Sequence, residues 1–186
     1  MKGLMVSIDG GSLQPLGVNG GVWCGPSSSI VFFDGPGLNS KVRLFDIKTS
    51  GIAIVPGSDG LGQPRCSPDG RYIAAVSRDG KKLRLYELAT GHWSDLAAHD
   101  IGFLQWSFDN KYVYFDTGTS KELAVYRVRI SDRKLERVAD LQNFRRSVDP
   151  WVSWMGLTPD GSPLLTRDIG SQEVYALDFD EPSDTP

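Results

Sequence analysis

Three aspartates recur in nearly the same setting: CSPDGRYIAA from Cys66 to Ala75, WSFDNKYVYF from Trp106 to Phe115, and LTPDGSPLL from Leu157 to Leu165. Repeated carboxylates could ring a metal ion or share a proton in acid–base work. Their neighbours argue for something simpler. Proline before Asp69 and Asp160 presets φ, Asp accepts a backbone hydrogen bond, and the Gly or Asn that follows tolerates positive φ, so each copy writes a tight corner. Such a bond contributes about 1 kcal/mol. A weaker copy upstream, Gly25 to Phe33, carries Pro26 in the proline position and Ser27 in place of Asp, a change that suits a turn and would spoil a ring of ligands. Pro68, Asp69, Gly70, Asp109, Pro159, Asp160 and Gly161 are therefore read as structural turn residues, and neither a metal nor a cofactor is expected.

Other catalytic chemistry finds little to stand on. The chain has two histidines, His92 in a turn after Gly91 and His99 in a connection, and no matched serine and aspartate accompany them. No G-x-S-x-G elbow, HExxH, GxxxxGK[ST] or helix-opening GxGxxG occurs. Cys24 and Cys66 precede successive corners where Trp106 and Leu157 stand in later copies. Residues exchanging among Cys, Trp and Leu share an apolar setting, so buried free thiols are expected in preference to a disulfide. Without C-x-x-C spacing or adjacent histidines there is no zinc signature.

The corner aspartates lie 40 and 51 residues apart, the second interval carrying an insertion. A period near 40 marks a repeat architecture. After each corner comes a β-prone run (Tyr72 to Val76, Tyr112 to Phe115, Leu164-Leu165), then a polar turn and an alternating run (Val42 to Ile47, Leu83 to Leu88, Leu123 to Ile130, Glu173 to Leu177). A short run closes each unit, as at Trp93 to Leu96 and Leu135 to Val138. Period-two alternation over such lengths predicts strands. Four antiparallel strands per repeat make the blade of a β-propeller, in which each blade buries its faces against its neighbours. The expected fold is all-β, about four blades in one domain over 1–180, with repeats near 1–20 (partial), 21–56, 61–97, 101–140 and 151–179 and a polar tail at 181–186. Leu4 to Ile8 and Leu13 to Leu16 read as the third and fourth strands of a repeat lacking its first two. Two arrangements follow. Either Leu13 to Leu16 completes the last blade of a small closed ring, or the chain is an open arc cut from a larger propeller, with unpaired end strands through which it self-associates.

Ser67-Pro68-Asp69-Gly70-Arg71-Tyr72-Ile73-Ala74 resembles the TolB-type, WD-like propeller repeat of bacterial proteins. Leu157 to Leu165, running on to Glu173-Val174-Tyr175-Ala176-Leu177-Asp178, resembles the closing repeat of such propellers at the C-terminal end of larger sensor or regulator chains. The resemblance runs from about Leu4 to Asp178 and implies an architecture that serves many functions. A non-catalytic protein-interaction or sensing module is the function it implies. The alternative is the propeller of a larger enzyme, either the gating domain of a prolyl-oligopeptidase-type peptidase or a propeller lyase or lactonase.

The 186 residues carry 20 basic and 23 acidic side chains, which gives no positive field for nucleic acid. No apolar run is long enough to span a membrane, and MKGLMVSIDGG reaches Asp9 before a signal core develops. A cytoplasmic chain is the default expectation, periplasmic if it was excised from a longer exported protein. Of the five tryptophans, those on first strands or before corners are expected in the core, and Trp93 half-exposed. The inserted segment Asn143 to Pro150 offers Arg145 and Arg146, with Trp151 beside it as an aromatic wall. In a propeller such connections share a face with the hairpins between second and third strands. That face would gather Arg78 of the Arg78-Asp79-Gly80 turn, His99 and Asp100, Thr117 to Lys121, Asp168 to Ser171 and the Asp34 to Gly37 loop, and would receive a protein or peptide partner.

Overall fold

The computed structural model describes residues 3–18, 20–26, 28–35, 40–117, 122–145 and 154–170. Every regular element among them is a strand. Three four-stranded antiparallel sheets follow one another along the chain. The first blade is β3 (Val22–Trp23), β4 (Ser29–Phe33), β5 (Val42–Asp46) and β6 (Ile52–Ile54); the second is β7 (Leu61–Cys66), β8 (Tyr72–Ser77), β9 (Lys82–Glu87) and β10 (His92–Ala98); the third is β11 (Leu104–Trp106), β12 (Tyr112–Asp116), β13 (Ala124–Arg129) and β14 (Leu135–Asp140). Two-stranded sheets flank them: β1 (Leu4–Met5) with β2 (Gln14–Pro15), and β15 (Met155–Leu157) with β16 (Pro163–Leu165).

The sequence explains why these sheets stack face to face. In β8 the odd and even positions are both apolar and buried. Ile73 and Ala75 pack toward the first blade with Val31, Val42 and Val55, while Ala74 and Val76 pack toward the third with Leu104, Val113 and Phe115. Alternation in β12 does the same, sending Val113 and Phe115 to the second blade and Tyr114 to Met155 and Leu157 of the last sheet. A strand buried on both faces reads as a continuous apolar run. The outermost strands β10 and β14 mix polar with apolar residues and are exposed or half-buried along almost their whole length. The first strand of each blade forms one edge of its sheet; β7 lies against β3 and β11, and β11 against β15, so these edges line a common inner wall.

The arrangement is a propeller arc, and the closed ring is not formed. Gln14–Pro15 pairs with Leu4–Met5, not with the last sheet. Leu16 and Val18 pack on Ile30 and Phe45 of the first blade, so the N-terminal hairpin continues the stack at its own end. Leu164 and Leu165 pair only with β15 among the described residues; Glu173 to Leu177 lie outside them.

Two further expectations are corrected. Cys24 and Cys66 are not free thiols: they form a disulfide, their Cα atoms 4.9 Å apart, which staples the corner of the first blade to the end of β7. Trp106 is buried, but Trp23 and Trp154 are 54% and 47% exposed. Trp23 lies on β3 and Trp154 directly before β15, at the thinly covered ends of the arc, where a neighbouring blade would be needed to bury an indole. Trp93 is half-buried and donates its indole N–H to the Pro56 carbonyl at 2.7 Å.

Candidate functional site

The corners form one face of the arc and are closed by their own side chains. At Asp69 the carboxylate accepts the Ser67 hydroxyl at 2.6 Å and the Arg71 amide at 3.1 Å, while Gly70 takes φ +71°. At Asp109 the partners are Ser107 at 2.7 Å and the Lys111 amide at 3.1 Å, with Asn110 at φ +61°. Asp160 is held by the Thr158 hydroxyl and by the Ser162 amide, with Gly161 at φ +84°. Successive corners also touch. The Asp69 amide donates to Asn110 Oδ1 at 3.0 Å, and a Cβ on Gly25 would fall 2.5 Å from the Gly70 nitrogen. Each carboxylate bonds within its own turn. The hydroxyl and amide donors hold the Asp109 and Asp160 carboxyls below the ordinary aspartate value.

The opposite face is assembled from the connections between blades and the hairpins between second and third strands. Each connection is stitched to hairpins on either side. Gly60 donates to the Ser40 carbonyl at 2.8 Å and accepts from the Arg78 amide at 3.0 Å; Ile101 donates to the Gly80 carbonyl and Gly102 to the Asp116 carbonyl, both at 2.7 Å; the Asp168 amide donates to the Arg145 carbonyl at 3.0 Å. An ion pair repeats beside these bonds at three junctions: Lys41 with Asp59 at 3.1 Å, Lys81 with Asp100 at 3.2 Å, and Arg145 with Asp168 at 3.4 Å. Each pair keeps at least one partner largely in water, and pairs so solvated contribute little stability. Their effect here is to register one loop against the next.

Of the residues expected on this face, Arg78, His99, Asp100 and Arg145 are brought to it. Arg78 is exposed and lines a cleft of about 340 Å³ at the seam of the first two blades, with Phe33, Ser40, Leu61, Gln63 and Ser77 around it. His99 is turned into the next seam, its ring 4.4 Å from that of Tyr126 and 5.8 Å from that of Phe115, and its Nδ1 accepts the Asp100 amide at 2.9 Å. Asp100 is committed to Lys81. Arg146 and Trp151 lie outside the described residues, as do Ser171 and the Gly118 to Lys121 stretch.

Sequence reasoning missed two residues of β7: Gln63, in the wall of this cleft, and Arg65, in the wall of a neighbouring hollow. Between Gly62 and Arg65 the pairing of β7 with β8 slips, and Gln63 adopts φ +50° in the bulge. The available signal was Pro64, which has no N–H to give a ladder and is found in sheets at edges and bulges.

Comparison with known proteins agrees with this architecture. No protein-family model matches the sequence. A dipeptidyl-peptidase 5 from Porphyromonas gingivalis is 30% identical in an alignment 118 residues long that covers 56% of this chain and 17% of that protein. Among solved structures, TolB from Acinetobacter baumannii superposes with a TM-score of 0.68 at 19% identity, covering 91% of this chain and 44% of that one. The tricorn protease follows at 0.58 and 10% identity, covering 80% of this chain and 15% of its own, and the acylaminoacyl peptidase of Pyrococcus horikoshii at 0.54 and 13%, covering 76% and 26%. The chain thus spans less than half the length of each. The fold is that of the TolB-like β-propellers.

Proposed function

We propose that this TolB-like propeller arc is a non-catalytic interaction or sensing module, whose loop face receives a protein or peptide partner. The observation that carries the reading is the stitching of that face: connections and hairpins from successive blades are bonded into one continuous surface, with exposed Arg78 beside an amphipathic cleft. A preorganised surface loses little entropy on binding, which favours recognition by a disc of loops. The chemistry-bearing residues of the corners, by contrast, are consumed by the turns they form. Arg145 and Arg146 are the partner-contacting residues of the inserted loop. Replacing both by Ala is expected to weaken capture of a partner from a lysate of the source cells by roughly tenfold, the effect of losing about 1.4 kcal/mol of contact. Melting should be unchanged. Unaltered affinity would dismiss this loop as the site.

A second reading has its own support in the similarity to a dipeptidyl-peptidase and to peptidase structures. Under it the arc belongs to the propeller of a larger peptidase and screens substrates by the same face. A hydrolase domain in the same reading frame, with peptidase activity in the product, would select this alternative.

A further inference from the structure

The inner wall of the arc carries a cation with no counter-charge among the described residues. Arg65 sits on β7, the inner edge strand of the second blade, directly after the Gln63-Pro64 bulge. Its guanidinium lies 5.0 Å from the centre of the Phe103 ring, and Nη1 donates to the Pro64 carbonyl at 3.1 Å. It makes no ion pair among the described residues. Burial alone acts on it, pushing the guanidinium below its ordinary value with no carboxylate to oppose the shift. A desolvated charge is costly unless it is paired, so a half-buried guanidinium with most of its N–H groups uncommitted is poised for an anion.

The surroundings hold this group still and leave room beside it. Trp106 of the next blade donates its indole N–H to the Arg65 carbonyl at 2.9 Å, and the Phe33 ring of the previous blade packs 3.6 Å from where a Cβ on Gly62 would stand. A hollow of about 260 Å³, bordered by Gly20, Gly21, Val31, Phe33 and Pro64, opens onto Arg65. Gln63, exposed at positive φ, projects from the same bulge into the wall of the larger cleft that reaches Arg78. A non-glycine residue in the left-handed region is retained when the surrounding structure enforces it, and such positions cluster at binding sites.

We propose that the Gln63–Arg65 bulge is a carboxylate-receiving site on the inner wall, which anchors an acidic group of an extended peptide. A planar guanidinium matches a carboxylate in a two-point fork. One guanidinium neutralises one carboxylate, whereas the larger charge of a phosphate would remain partly unpaired against the apolar Val31, Phe33 and Phe103 walls. The carboxylate comes either from an acidic side chain or from a chain end. This inference rests on the reading of the arc as a peptide- or protein-binding module and places a second contact beneath its loop face.

The test uses the 186-residue chain and three tripeptides: N-acetyl-Gly-Glu-Gly amide, with a side-chain carboxylate; N-acetyl-Gly-Gly-Gly acid, with a terminal one; and N-acetyl-Gly-Gln-Gly amide, with none. The Arg65 side-chain Nε–Hε resonance is followed by NMR, assigned by its loss in Arg65→Lys. One or both acids should move it saturably, at least about tenfold more tightly than the neutral peptide, as expected for a charge-assisted pair. Response to the side-chain acid alone identifies internal acidic residues as the ligand, and response to the terminal acid alone identifies chain ends. In Arg65→Gln, where that resonance is gone, binding is followed in both proteins by the backbone amide resonances of Gly62 and Cys66, and the acid preference should be abolished. No carboxylate-dependent shift of Arg65 in the wild-type chain overturns the site, as does an undiminished preference in Arg65→Gln. Retention of lysate capture that depends on Arg145 and Arg146 would then show that only the inner-wall site had failed.

Discussion

At Asp69 a single carboxylate closes a turn through the Ser67 hydroxyl and the Arg71 amide. Asp69→Ala should therefore lower stability by about 1 kcal/mol in denaturant titration while leaving partner affinity unchanged; loss of affinity without loss of stability would make it a ligand. The same chemistry sets a pH dependence. Hydroxyl and amide donors depress the folded-state values of Asp79, Asp109 and Asp160. A depressed carboxyl contributes stability that is complete above the ordinary value of about 4 and is lost as pH falls through the lower folded value. Melting temperature should therefore drop on acidification below about pH 4, and an Asp109→Asn, Asp160→Asn double variant should show a smaller drop. These turn roles were legible in sequence because Pro, Asp and Gly act on the backbone within four residues. Arg65 was not, since its isolation depends on what Phe103 and Trp106 of another blade place beside it.

Strands were legible for a related reason. The unbroken apolar runs of β8 and β12 report burial on both faces and the alternation that opens β9 reports burial on one, which is a local property of the chain. Relations between elements were less so. Cys24 and Cys66 occupy equivalent positions in successive repeats, and equivalence predicts a shared apolar setting. It gives no measure of the 4.9 Å that brings their Cα atoms within bonding reach. The disulfide closes a sequence separation of 42 residues between two blades. Reduction, or Cys24→Ser with Cys66→Ser, should cost about 2–4 kcal/mol of unfolding free energy. Alkylation of the denatured, unreduced chain should find neither thiol, and modification of both would restore the free-thiol expectation. Trp23 and Trp154 show the same limit: a first-strand tryptophan is core only where a neighbouring blade covers it.

At the level of the whole molecule, blade count and radial stacking could be read from the 40-residue recurrence, but ring closure could not. Closure depends on the rotation accumulated from blade to blade, which no short motif encodes. The arc leaves apolar side chains exposed at both ends, Leu4 and Leu13 on the N-terminal hairpin and Trp154 and Leu164 on the last sheet. Uncovered patches and strand edges drive association. Light scattering of the isolated chain should accordingly show dimers or larger species, and a clean monomer would count against uncovered ends. On the proposed function the stitched loop face is the working surface, and hydrogen–deuterium exchange of the chain with and without its captured partner decides whether it is. Protection is predicted at the Ser58 to Gly62, Ser77 to Lys81, His99 to Gly102 and Asn143 to Arg145 segments, with exchange unchanged at the corners Ser67 to Arg71 and Ser107 to Lys111. Protection confined to those corners, or spread evenly over both faces, would contradict it.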